Sequence, residues 1–186
     1  MKSVRSGKLC MFVLGAMATA ATAQSPQMVP VCDLFDGLTR WNGAMIEVTA
    51  YIEAQPSPGS AENDIWLSGR NCPSSLVVKG ITFPNTINLS DPQVRATRIH
   101  AVTFEWEESS RNLLSSMLAR LDRRNEYILA TVIGVFETRT PLDDLVVVDR
   151  AHPKGNMMGF GLQGPHPAQI LVRTIRNLRI DRKSKP

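Results

Sequence analysis

The chain is poor in the residues that usually announce chemistry. It has three histidines, three cysteines and only 6% aromatic residues over 186 positions. There is no C-x-x-C and no closely spaced histidine pair, which removes the ordinary zinc ribbons and fingers. There is no G-x-S-x-G and no H-E-x-x-H, so the usual serine-hydrolase elbow and the zincin helix are excluded. Nowhere does an uninterrupted apolar run reach the roughly 20 residues that a spanning helix needs. Strands do not alternate regularly with helices, which argues against a doubly wound sheet.

What is present begins with an address. Lys2, Arg5 and Lys8 precede an apolar stretch from Leu9 to Ala18, and Ala21-Thr22-Ala23 is a small-residue cleavage pattern. That order is expected of a secretory signal peptide over residues 1–23, giving a secreted or periplasmic protein with no transmembrane segment after processing. Cys10 lies at the start of the apolar stretch and not just after it, where it is badly placed for lipid attachment. Removing 23 of 186 residues leaves 163, enough for one domain with a real core. We read residues 24–30 as a leader, 31–182 as a single domain and 183–186 as a basic tail. Losing Lys2, Arg5 and Lys8 takes the formal charge from +4 to +1, so the basic isoelectric point overstates any case for nucleic acid. Basic residues still gather at the end, where Arg173, Arg176, Arg179 and Arg182 precede Lys183 and Lys185. Such a segment suits an anionic partner, or simply a solvated strand edge.

Cys32 and Cys72 survive processing. In an oxidising compartment an isolated pair is most simply a disulfide.

Periodicity gives the architecture. Cys32 to Arg40 reads as a helical turn docked on the body, followed by turn chemistry at Trp41-Asn42-Gly43. From Ala44 to Glu53, Ile46, Val48, Ala50 and Ile52 fall on one side and Glu47, Thr49, Tyr51 and Glu53 on the other, a half-buried strand. Asp64 to Ser68 is a second strand; Leu76 to Val78 and Thr86 to Leu89 are short ones. The period then changes. Trp106, Leu113, Leu114, Met117, Leu118 and Leu121 form one stripe, which predicts a helix over 104–123 with acidic residues at its start, basic ones at its end and Asn125 as a cap. Tyr127 to Phe136 is apolar on both faces, hence a central strand, and Gly134 within it marks a bulge or a close crossing. Leu145 to Val148 and Ala168 to Ile180 complete the set. The expected fold is mainly β: an OB-like β-barrel with one internal α-helix between its third and fourth strands.

The stretches VPVCDLFDGLTRWNGAMIEVTAYIEA, NCP, FETRTPL and GFG followed by HPAQILVRTI resemble a group of uncharacterised secreted bacterial proteins with OB-like single domains. The likeness covers roughly residues 30–178. It implies the fold and carries no activity with it.

Candidate chemistry is sparse. GFGLQG, with Gly159, Gly161 and Gly164, matches the G-x-G-x-x-G dinucleotide fingerprint, but Pro165-His166-Pro167 follows where a phosphate-holding helix should start. We expect no nucleotide cofactor, no other cofactor and no metal, and take the glycines as a loop between the last two strands. In OB-folds that loop borders the ligand groove. Phe160 could stack on a ring there and His166 could hydrogen-bond; equally, Phe160 could plug the barrel end. Trp66 and Tyr51, on the strands that OB-folds use for stacking, with Arg70 nearby, make a second candidate, against which stands simple core packing. His100, His152 and His166 lie on separate loops. Glu107/Glu108 and Asp143/Asp144 are carboxylate pairs that a helix start and a turn explain as well as catalysis does. Asn88-Leu89-Ser90 matches the glycosylation tripeptide.

The sequence therefore points to a non-catalytic binding or envelope-structural module. Trp66, Arg70, Phe160 and His166 are the candidate ligand residues and glycan, peptide or an envelope protein the candidate partners; nucleic acid is a poor fit outside the cytoplasm. Two alternatives stay open: an extracytoplasmic hydrolase with a carboxylate or histidine site, and an assembly module that pairs through an edge strand.

Overall fold

The computed structural model describes residues 25–56, 63–94, 98–161 and 164–182. The signal peptide and the basic tail read from the sequence lie outside the described residues. The elements run β1 (Gln27–Met28), α1 (Val31–Asp36), α2 (Leu38–Trp41), β2 (Met45–Pro56), β3 (Asn63–Ser68), β4 (Val77–Val78), β5 (Ile81–Thr82), β6 (Thr86–Ser90), α3 (Glu108–Arg120), β7 (Glu126–Thr138), β8 (Val146–Val147), β9 (Asn156–Met157) and β10 (Ala168–Arg182).

Five strands close a barrel in the order β2-β3-β6-β10-β7, and β7 returns to β2. Closure depends on the length of β2. Its first half, Met45 to Ile52, pairs with β7, and its second half, Tyr51 to Pro56, pairs with β3. β6 and β10 run parallel, with Ala168 opposite Ile87; the other barrel pairs are antiparallel. Helix α3 joins the third and fourth barrel strands in chain order, as expected of an OB-like barrel.

Period-two alternation fills the barrel. Ile46, Val48 and Ile52 on β2, Leu67 on β3 and Ile87 on β6 are fully buried and share one core. A buried side chain of this size contributes about 1.5–3 kcal/mol each. Gly134 in β7 is a close crossing: a Cβ there would lie 2.2 Å from the Leu171 carbonyl oxygen and 2.6 Å from Ile170 Cγ2 on β10. Gly43, at φ +81°, turns the chain into β2, and its N–H donates to the Phe136 carbonyl at 2.8 Å.

Helix α3 lays Leu114, Met117 and Leu118 against the core and packs on β10. It is shorter than the stripe predicts. Glu107 is extended, with its N–H donating to the Arg173 carbonyl of β10 at 2.8 Å, and Trp106 is buried ahead of the helix. A tertiary contact thus replaces the first helical turn, leaving Glu108 alone as the acidic residue of the first turn. Leu113 faces outward, 49% exposed. The helix ends at Arg120 with an extended Leu121, and Asn125 closes the next turn by donating to Asp122 at 2.8 Å instead of capping the helix.

The segment read as a leader contributes β1, which pairs parallel with Ile46 and Glu47. Cys32 and Cys72 form a disulfide, Cα atoms 5.2 Å apart, tying α1 to the loop after β3. A satellite core of Val78, Phe83, Leu145 and Val146 sits under the small β4–β5 and β8–β9 sheets.

Candidate functional site

On β3 and β6 the inward residues belong to the core, and the outward ones are polar or aromatic. Trp66 stands opposite Asn88, and Ser68 opposite Thr86. Asp64 and Trp66 are half-buried, and Asn88 is buried.

His166, two residues before β10, is brought onto this face by the parallel pairing of β10 with β6. Its Nδ1 lies 2.7 Å from Thr86 Oγ1, and its ring packs on Trp66 with centroids 5.5 Å apart. Nε2 lies 3.5 Å from Asp64 Oδ2, too long for a good hydrogen bond. The imidazole is only 3% exposed, and Nε2 is buried with no hydrogen-bond partner among the described residues. Thr86, His166 and Asp64 therefore form a hydroxyl–imidazole–carboxylate row beside an indole.

Behind the row runs a buried polar track. Asn88 is best satisfied with its amide nitrogen toward Asp64 Oδ1 at 3.1 Å and the Ile65 carbonyl at 3.2 Å. Ser90 Oγ lies 2.6 Å from the Asn88 amide and 2.7 Å from Gln169 Oε1. Gln169 Nε2 donates to Glu137 Oε2 at 2.7 Å. Glu137, fully buried, also accepts the Ile99 N–H at 3.0 Å and the His100 N–H. The track pins the segment before α3 onto the outside of the barrel, with the single Ser90 O–H proton shared between two facing acceptors, Asn88 Oδ1 and Gln169 Oε1.

Trp66 and His166 are brought together, and Phe160 joins His166 through the backbone. Phe160 and His166 pair across their own hairpin, N–H to carbonyl at 2.8 and 3.2 Å, and Phe160 is 5% exposed beneath the Arg139 guanidinium. Arg70 pairs at 2.7 Å with Glu53, the β2 residue directly opposite Trp66, and lies over Tyr127, 4.7 Å from the ring centroid, where Tyr127 meets Tyr51. Arg70 thus sits one strand over from Trp66 on the same outward side of the sheet.

The glycines of GFGLQG are explained by that hairpin. A Cβ at Gly159 would come 2.0 Å from the His166 carbonyl oxygen, and one at Gly161 would come 2.5 Å from His166 Cδ2. Gly161 and Gly164 have φ of +76° and +71°. A strand, β10, follows them where a dinucleotide site requires a helix.

The other candidates separate. His100 Nδ1 is 3.2 Å from Glu137, and His152 Nδ1 is 3.2 Å from Asp149. Among the described residues no three histidine, cysteine or acidic side chains gather around one point as a metal would need. The His152 backbone N–H holds the Asp149 carboxyl below its ordinary value. Glu107 is likewise lowered, first by its hydrogen bond from Thr174, then by that from Ser109, with a further contribution from Arg176. Asp143 and Asp144 start a 3-10 turn beside an open depression of about 380 Å³ shared with Lys79 and Arg139. Asn88 is 6% exposed within β6, which leaves the glycosylation tripeptide no room for a sugar.

Sequence reasoning missed Asp64, Thr86 and Asn88. The signal was there, in the outward alternation of DIW and TIN, but outward polar positions read as ordinary solvent face. No family model matches the chain, and no curated protein or solved structure matches it either.

Proposed function

We propose that this is a secreted or periplasmic, non-catalytic binding module that holds a glycan or peptide on the outer face of β3 and β6. The observation that carries the reading is Trp66: a half-buried indole, outward on β3, with Asp64 and Asn88 beside it and His166 fixing its ring. An apolar plate next to a few convergent polar groups is the chemistry that sugar rings and peptide planes select. The signal-peptide pattern, the disulfide and the resemblance to secreted OB-like proteins support the compartment. A glycan and peptide array probed with the purified protein tests it. Trp66→Ala is expected to weaken the best ligand about tenfold, in line with the roughly 1–3 kcal/mol of a stacking contact. Binding unchanged by Trp66→Ala removes that face from the reading.

The row of Thr86, His166 and Asp64 favours a second reading, hydrolysis, in which His166 accepts the Thr86 proton while Asp64 steadies the imidazolium. It ranks second because the imidazole is sealed at 3% exposure. Turnover of ester or amide substrates that is lost in both Thr86→Val and His166→Asn would reverse the order.

A further inference from the structure

On another part of the barrel wall, a pocket of about 510 Å³ opens between β2, β7, β10 and the segment entering α3. Its floor is Ile133 and Thr174, 3% and 7% exposed. Its walls carry charges of both signs: Glu47, Glu105 and Glu107 against Arg173 and Arg176.

Two features mark it as built. The first is the backbone. A bulge between Val172 and Thr174 inserts Arg173 as an extra residue, so that Thr174 faces Ile133 and Arg176 faces Thr131, both outward. Bulges re-aim side chains in this way beside sites. The second is Glu107, which is positioned from three directions: its N–H donates to the Arg173 carbonyl, Ser109 Oγ donates to Oε1 at 3.1 Å, and Thr174 Oγ1 donates to Oε2.

Of the remaining charges, Arg176 acts on Glu107 only through space, helping to lower its carboxyl. No salt bridge joins Glu47, Glu105, Arg173 or Arg176 to one another or to any other described residue, although they line one pocket. A lone anion entering here meets carboxylates, and a lone cation meets guanidinium groups, so either loses on one side what it gains on the other. A molecule with an ammonium at one end and a carboxylate at the other satisfies both. We propose that this pocket binds a small zwitterion of the amino-acid or short-peptide class, its ammonium toward Glu47 and Glu105 and its carboxylate toward Arg173 and Arg176. The volume lies in the range of small-molecule sites. The inference does not depend on the β3–β6 face.

The test uses the full chain, expressed and purified, in two-dimensional NMR titrations with L-alanyl-L-alanine, its N-acetyl form and its C-terminal amide. The free dipeptide is expected to shift the amides of Ile133, Thr174 and Arg176 saturably, and each blocked form to bind at least tenfold more weakly. E47Q and R176Q should each weaken the free dipeptide, and W66A should leave it unchanged. If R176Q does not give a folded spectrum, R173Q takes its place. No saturable shift at the pocket, equal affinity for a blocked form, or a response that W66A abolishes overturns the proposal.

Discussion

Glu137 offers the sharpest test of how the outer wall of the barrel is held. Its carboxylate is fully buried and accepts the Ile99 N–H, the His100 N–H and Gln169 Nε2. Replacing it with alanine strands the buried Gln169 amide and takes the acceptor from the part-buried Ile99 and His100 N–H groups. Each unsatisfied buried group costs about 1–3 kcal/mol, and dismantling a buried charged network typically costs about 3–5 kcal/mol. At a urea dependence of about 2 kcal/mol/M, the midpoint is then expected to fall by roughly 1.5–2.5 M. Glu137→Gln keeps one acceptor oxygen but turns an amide toward donors, and is expected to lose about half as much. Equilibrium urea unfolding followed by tryptophan fluorescence measures both variants. Amide hydrogen exchange separates local from global effects, because in Glu137→Gln the Ile99 and His100 amides should lose protection before the barrel strands do. An alanine variant within 1 kcal/mol of the parent, with those two amides still protected, would refute the reasoning.

Three further outcomes are expected. Removing the disulfide by Cys32→Ala with Cys72→Ala opens a cross-link spanning 40 residues, worth about 4 kcal/mol in the chain-entropy model, readable as a lower urea midpoint. Gly134→Ala drives a Cβ to 2.2 Å from the Leu171 carbonyl oxygen; a loss of about 3 kcal/mol should lower the calorimetric Tm by roughly 6–12 °C, and a Tm within 2 °C of the parent would deny the close crossing. Thr174→Val removes the main hydrogen bond to Glu107, so the carboxyl should titrate higher by carbon-detected NMR. The sign follows from a native pKa held below its unfolded one: the stabilisation is present above the unfolded value, is lost as pH falls through the native one, and is smaller in the variant.

The barrel was legible because its signal is local. Alternation along Ile46, Val48, Ala50 and Ile52 needs only the next residues to declare a face, and the stripe of Leu114, Met117 and Leu118 likewise. Gly134 announced a bulge or a close crossing, and the structure has both the close approach to Leu171 and a bulge on β10 opposite it. What failed to show was whatever covers an outward face. Glu137, Gln169 and Ser90 sit at outward parity, as solvated residues do, and are buried only because segments distant in sequence fold over them. The helix start moved for the same reason, since Arg173 claims the Glu107 N–H from 66 positions away. His166 packs on Trp66 through the β6–β10 pairing, a contact between residues 100 positions apart, while Arg70 pairs with Glu53, the residue opposite Trp66, and lies over Tyr127.

The parallel contact between β6 and β10 has a consequence for synthesis. Four barrel staves are synthesised before the fifth, and the seam between β6 and β7 stays unsealed until Ala168 to Leu171 arrive. Any nascent chain shorter than that carries a split cylinder with unpaired backbone along both lips. Sealing thus waits on the fifth stave, however early the other four have paired.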